Sequence, residues 1–248
     1  MNVPSLPPAI LLDPRPVDRP WGGERVGPRF GWSQDNPVGE WWLASTYPGS
    51  ETTVRNTGMD LSAWLDRPEA QEICKGSQNF PVLLKFLDCK DVLSVQVHPD
   101  DTVARSHGLP RGKTEAWFVV DCEEGAGVYL GTQEGVSGQD LLEIVAAGGG
   151  NQAVRDALRF IEVTPGDTLL VPAGSVHAIG PGLVLFEVQQ NSDTTYRIYD
   201  WGRSRPVHIK ESKDALLDHP QLDPIQGETS GDHWTLLLDD PAFAVMRA

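Results

Sequence analysis

Pro81-Val82-Leu83-Leu84-Lys85-Phe86-Leu87, followed by Val92-Leu93-Ser94-Val95-Gln96-Val97-His98, decides how this chain folds. Each run is short, mostly apolar and bounded by turn-forming residues, the pattern of a buried strand. Glu115-Ala116-Trp117-Phe118-Val119-Val120 and Val128-Tyr129-Leu130 continue the series, and further strands are expected at 159–163, 168–171, 176–179 and 183–190. Pro165-Gly166-Asp167, Pro172-Ala173-Gly174 and Gly180-Pro181-Gly182 supply tight turns between them. Short helices are expected at 60–65 with Asp60 as N-cap, from Ser137 to about Ala147 ahead of three glycines, and at 151–158. Many short antiparallel strands joined by tight turns predict a mainly β fold, a jelly-roll barrel with a few short helices.

The rest of the chain is arranged around that barrel. Residues 1–20 carry Pro4, Pro7, Pro8, Pro14, Pro16 and Pro20 and read as an extended arm laid over the body. Residues 21–210 read as the barrel domain. Residues 211–248 read as a helix and the beginning of a further β-segment, because Asp239-Asp240-Pro241-Ala242-Phe243-Ala244-Val245-Met246 resembles a strand that starts where the chain stops. That strand lacks a pairing partner, which leaves a missing C-terminal segment open.

Charge and cysteine usage bound the partners. The 248 residues hold 20 Lys and Arg against 35 Asp and Glu, a net charge of −15. Such a field repels nucleic acid and anionic lipid, so neither is expected as a partner. An anionic small molecule has to be drawn in by a local cluster of cations. Cys74, Cys89 and Cys122 are odd in number and form no C-x-x-C pair, which argues for a reducing compartment. With no signal pattern at the N-terminus and no membrane-length apolar run, the expectation is a soluble, cytoplasmic protein.

Residues i and i+2 of a strand share a face. Gln96 therefore points with His98, and Lys113 with Glu115; a nearby strand carries His177. Pairing these strands gathers Gln96, His98, Glu115 and His177 around one cavity. Two imidazoles and a carboxylate are a common catalytic zinc set, and the added carboxamide oxygen also tolerates iron or manganese. A lone strand histidine is more often a satisfied core residue, and a lone glutamate a solvated charge; joint occurrence on barrel strands beside turns favours the metal. His107, His208, His219 and His233 lie in polar segments and read as structural or solvent-exposed.

The run from Glu187 to Arg203 is polar for a stretch with β character. It reads either as an ordered loop held by Asp–Arg pairing or as a hydrogen-bonding rim over the metal. On the rim, Arg197 would bind an anion or a developing oxyanion, and Asp193 would transfer a proton. Lys85 is a cation in an apolar strand, where an unpaired ammonium is costly. It either pairs with Asp88 or Asp91 or emerges to bind phosphate. Lys113, on the face of a presumed ligand, is the stronger phosphate candidate.

At these residues the chain resembles type I mannose-6-phosphate isomerase, also called phosphomannose isomerase. The resemblance runs through Trp21-Gly22-Gly23, Gly39-Glu40-Trp41, Phe80 to Asp88, Leu93 to Asp101, Gly112-Lys113-Thr114-Glu115-Ala116-Trp117, Pro172 to Gly180 and Gln189 to Arg197. Each motif alone is weak; their joint order is specific. The resemblance implies a cupin-type fold, one zinc ion per chain on Gln96, His98, Glu115 and His177, and interconversion of mannose 6-phosphate and fructose 6-phosphate. It places Arg197 at the active site and Lys85, Lys113 and Asp193 at polar positions of a sugar-phosphate cavity. The compact spacing from Glu115 to His177 is similar to the short bacterial branch; the departure is the C-terminus, where relatives continue into a further β-domain. Two rival expectations are a metal-dependent cupin oxygenase, which the two-His-plus-carboxylate set would also support, and a non-catalytic sugar-phosphate sensor.

Overall fold

The computed structural model describes residues 9–70, 80–219, 221–225, 228–230 and 234–247. Cys74, His233 and the first eight residues of the proline-rich segment lie outside the described residues. Strands β1 (Leu12–Asp13) and β2 (Arg15–Val17) are followed by helix α1 (Val26–Phe30) and β3 (Glu40–Ala44). Next come β4 (Thr53–Val54), β5 (Met59–Asp60), α2 (Leu61–Leu65) and a 3-10 turn at Pro68–Ala70. The central run is β6 (Val82–Cys89), β7 (Val95–Val97), α3 (Asp101–Ser106), β8 (Glu115–Cys122), β9 (Gly127–Thr132), α4 (Gly138–Ala146) and α5 (Asn151–Ala157). It continues with β10 (Leu158–Glu162), β11 (Thr168–Val171), β12 (His177–Ile179), β13 (Leu183–Gln190) and β14 (Tyr196–Tyr199). Helix α6 (Ile209–Ala215) and strands β15 (Glu228–Ser230), β16 (Trp234–Asp240) and β17 (Phe243–Arg247) close the chain.

The expected local chemistry sets the helix starts. Asp60 caps α2 by accepting the Ala63 N–H at 2.7 Å, and Ser137 with Asp140 forms a capping box on α4. Helix α3 was not anticipated. Asp100, quoted with the His98 motif, is its N-cap and accepts from the Val103 N–H at 2.7 Å.

Two antiparallel sheets face one another, as in a jelly roll. One has the order β11-β8-β13-β6-β3-β2 and the other β10-β9-β12-β7-β14. The apolar core between them includes Leu87, Val119, Leu183 and Leu185 from the first sheet and Val128, Leu130 and Ile179 from the second. Toward one end the inner faces become polar. On the six-stranded sheet, Trp42, Lys85, Glu187 and Trp117 lie in one cross-strand row, with Gln189 opposite Glu115 one step on. On the facing sheet, His177, Gln96 and Arg197 are paired neighbours. The strand periodicity read in the sequence therefore delivers polar groups from both sheets to one end of the barrel.

Within the expected proline-rich arm, Leu12–Asp13 and Arg15–Val17 are strands. Arg15–Val17 pairs with β3 as the edge of the six-stranded sheet, where Pro16 costs no central hydrogen bond. Residues 239–246 are not the start of one strand: Asp240 opposes Phe243 in a β16–β17 hairpin. Pro241, with no N–H and a fixed φ, breaks the run, and Asp240 Oδ1 takes the Ala242 N–H at 2.9 Å. β16 pairs with β15 on its other side. Among the described residues no helix is long and apolar enough to cross a membrane.

Leu185 is fully buried where the two sheets meet. Leu185→Ala is expected to lower unfolding free energy by about 2–5 kcal/mol, read as a fall in the urea midpoint at unchanged slope.

Candidate metal centre and the cavity around it

Glu115 opens β8 and reaches its position through a close approach of backbone. Lys113 N–H donates to Pro99 O at 3.0 Å, and a Cβ on Gly112 would stand 2.5 Å from the Asp100 carbonyl carbon. Only a residue without a side chain lets the Gly112-Lys113-Thr114-Glu115 strand cross so tightly behind His98. His98 follows β7 directly, and His177 begins β12 after the Pro172-to-Val176 turn, where Gly174 adopts φ +88°.

His98, Glu115 and His177 are at most 1% exposed, and one potential ligand atom from each lies within 4.8 Å of the others. Glu115 Oε1 is 3.3 Å from His177 Nε2, and Oε2 is 3.5 Å from His98 Nε2. Each imidazole is oriented from behind: His98 Nδ1 donates to Thr194 O at 2.9 Å and His177 Nδ1 to Ser175 O at 3.0 Å. That tautomer leaves an acceptor lone pair on each Nε2, close to the Glu115 carboxylate. Gln96 completes the group, its amide 3.1 Å from His177 Nε2; a half-turn about its last bond exchanges nitrogen for oxygen.

Two lone pairs and an anion facing one another call for a cation. Lys113 already answers: its Nζ is 2.9 Å from Glu115 Oε2 and 3.2 Å from His98 Nε2. Burial opposes the Lys113 charge, but the carboxylates around it, Glu115 first and then Glu187 and Asp193, together outweigh burial and the pKa rises. Burial likewise opposes the Glu115 charge, and Lys113 with the His98 and His177 rings together outweighs it, holding the carboxyl well below its usual range. Burial, then Lys113, pushes His98 down to about 3, so it is neutral at pH 7 and the ion pair of Glu115 is with Lys113. The donor set also fits a metal ion: bonds of roughly 2.0–2.1 Å in a tetrahedron separate ligand atoms by roughly 3.3–3.4 Å, close to the spacings around Glu115.

A cavity of about 270 Å³ opens beside this group. Lys85, Gln96, Lys113, Glu115, Asp193 and Arg197 all line it, so the eight residues singled out from sequence converge. Its walls carry Arg19, Lys85, Lys113, Arg197 and Arg205 against Glu40, Glu115, Glu187 and Asp193. In a chain of net charge −15, this is a local patch able to receive an anion. A wider groove of about 620 Å³ between β9 and α6 holds none of the eight; the smaller cavity is the one beside chemically competent groups.

The partners of Lys85 differ from those expected. Asp88 is turned away and accepts from the Arg25 and Val26 N–H groups at 2.6 and 2.9 Å. Lys85 Nζ instead lies 3.4 Å from Glu40 and 3.5 Å from Glu187, above the Trp42 ring. Glu40 also accepts from Trp42 Nε1 at 2.7 Å and Arg19 Nε at 2.9 Å. Burial would raise its pKa, but Lys85 and Arg19 outweigh burial and bring it down to about 2. Glu187 goes the other way, to about 7, through burial and then the nearby Glu115 charge. No ion pair joins Asp193 to Arg197; the loop carboxylate that holds arginines is Asp200. The other described histidines have structural partners: His107 binds the Tyr196 hydroxyl, His208 accepts the Arg197 N–H, and His219 reaches Ala173 O. Sequence reasoning missed Arg19, Glu40 and Arg205. Glu40 was quoted within its motif, but alternation alone does not reveal which strand lies beside it.

Comparison with known proteins extends the likeness. Residues 17–117 match the family described as phosphomannose isomerase type I, catalytic domain, a span that holds Gln96, His98 and Glu115 but not His177 or Arg197. A mannose-6-phosphate isomerase of Streptococcus mutans serotype c is 38% identical over 240 residues, 92% of this chain and 74% of the relative. A probable mannose-6-phosphate isomerase of Bacillus subtilis is 35% identical over 228 residues, 87% of this chain and 70% of the relative. The crystal structure of a mannose 6-phosphate isomerase from Bacillus subtilis superposes with a TM-score of 0.84 at 32% identity, covering 96% of this chain and 78% of that one.

Two predictions follow from the geometry. His177→Ala should weaken divalent-metal binding by at least about 100-fold, measured by chelator competition on protein whose circular dichroism is unchanged. Glu40 has a folded-state pKa below its unfolded value of 4.5, so its stabilisation is present above pH 4.5 and lost as pH falls toward 2. Glu40→Gln should therefore be about 3–5 kcal/mol less stable at pH 7, and the gap from native should shrink as denaturant midpoints are taken down through that window.

Proposed function

Since the chain belongs to the type I phosphomannose isomerase family, we propose that it interconverts mannose 6-phosphate and fructose 6-phosphate in the cavity beside Glu115, with one zinc ion held by Gln96, His98, Glu115 and His177. The observation that carries this reading is the buried His98–Glu115–His177 donor group at the wall of a cavity that also holds Lys113, Asp193 and Arg197. When bound, zinc supplies Lewis acidity toward the sugar oxygens.

The remaining chemistry belongs to the chain. Aldose–ketose exchange takes a proton from C2 of the open-chain aldose and returns one to C1, while the hydroxyl proton on C2 moves to the C1 oxygen. Asp193 lines the cavity and makes no hydrogen bond among the described residues, which leaves its carboxylate free to carry the proton between carbons. Arg197 presents a guanidinium whose buried Nε has no partner, a donor placed for the negative charge of the enediolate. Lys113 holds Glu115 ionised and contributes positive charge where substrate oxygens approach. Lys85 acts from behind, fixing Glu187 and Glu40 against the cavity wall. The free thiols of Cys89 and Cys122 suit a cytoplasmic setting.

An assay coupled to fructose 6-phosphate formation tests the reading. Activity should disappear with chelator and return with zinc. Arg197→Ala should lower kcat by about 100-fold or more at unchanged zinc content; an unchanged kcat would remove that role. Oxygen consumption with iron but no isomerisation would favour an oxygenase, and tight mannose 6-phosphate binding without turnover a sensor.

A further inference from the structure

Both lysines expected to receive an anionic group already face carboxylates. Lys85 lies between Glu40 and Glu187, and Lys113 is 2.9 Å from Glu115. The spare donors belong to arginines. Asp200 is 4% exposed and accepts from Arg205 Nε at 2.9 Å, Arg205 Nη2 at 2.6 Å and Arg203 Nε at 3.1 Å. One carboxylate thus serves two guanidiniums. Arg197 brings a third, donating through Nη1 to Pro206 O at 2.8 Å while its Nε stays buried without a partner. Burial and then the neighbouring Arg205 depress the Arg197 pKa, the mark of a positive charge short of counter-charge.

Arg197 and Arg205 line the same cavity as Glu115, and Arg19 joins them from the segment after β2. Arg19 is built like Arg205. Its Nε and Nη2 are fixed by Glu40 at 2.9 and 3.3 Å, so the other edge of the guanidinium has no partner among the described residues. A guanidinium clamped along one edge is pre-organised, and the opposite edge keeps the geometry that matches two oxygens of a phosphate. Asp193, on the same wall, makes no hydrogen bond among the described residues.

We propose that Arg205 and Arg19, beside Arg197, bind the phosphate monoester of the substrate, and that these two arginines rather than Lys85 or Lys113 set the preference for a phosphorylated sugar. The identity of the ester rests on the isomerase reading; the anion site does not. Calorimetric titration of inorganic phosphate into the purified protein tests it, with Arg205→Gln, Arg19→Gln and, as a control, Arg55→Gln, whose side chain pairs with exposed Asp13. Both cavity variants should bind phosphate at least about tenfold more weakly, and KM for mannose 6-phosphate should rise in parallel while kcat stays within about threefold. Metal content and the Arg55→Gln result should match native. Absence of phosphate binding by the native protein, or equal binding by both cavity variants, overturns the proposal. If Arg205→Gln does not fold, Arg205→Lys decides: it keeps charge but loses the fork, and native-like phosphate affinity would count against the site. Arginine-dependent phosphate binding in a protein that fails to isomerise mannose 6-phosphate would sink the isomerase reading and leave the anion site standing.

Discussion

The buried carboxylate of Glu115 imposes the condition that the rest of the site satisfies. An ionised group at 1% exposure loses its hydration and is tolerated only with charged or hydrogen-bonding partners in contact. Lys113 supplies the ammonium for Glu115, and the two imidazoles, with acceptor lone pairs turned toward the same carboxylate, need a cation of their own among the partners. Those partners come from different sheets, so the strand registers that bring Glu115 opposite Gln189 and His177 opposite Gln96 are part of the electrostatics. Gly112 belongs to the same condition, because a side chain there would collide with the backbone beside His98.

Much of this was legible because strands repeat every two residues. Gln96 with His98, and Lys113 with Glu115, follow from alternation alone, and Pro and Gly turns mark where β11, β12 and β13 begin and end. What alternation does not carry is the identity of the neighbouring strand. Lys85 could be seen to need an acid, and Asp88 and Asp91 were the near choices in sequence. The register of β3 against β6 brings Glu40 from more than forty positions away instead. Arg19 and Arg205 escaped for the same reason: each reaches the cavity from outside the strands that carry the donor set. Short local signals also misled. Pro241 sits inside an apolar run but turns it into a hairpin, and the Asp100 cap of α3 was hidden inside a motif read for its histidine.

Charge in the barrel is layered. Strands β6 and β13 begin or end in the apolar core with Leu87 and Leu185, and one pleat further along they carry Lys85 and Glu187. Glu40 and Arg19 extend that layer to the sheet edge, and Asp200 gathers Arg203 and Arg205 on the other side of the cavity mouth. The acids along these walls hold the bases in place, while the chain outside is strongly anionic. A small dianion approaching the molecule meets an overall anionic chain and, at the cavity, a local cluster of five cationic side chains.

The division of the donor atoms between the sheets has a mechanical consequence. Glu115 stands on the six-stranded sheet, whereas His98 and His177 belong to the facing one. An ion shared by the three would act as a rivet through the sandwich, tying layers otherwise joined by apolar packing. Prying the layers apart would then require giving up the ion, so occupancy adds to resistance against unfolding of the whole barrel, by about 4 kcal/mol at a thousandfold excess over Kd. Ion supply would in that way set how long the folded molecule lasts.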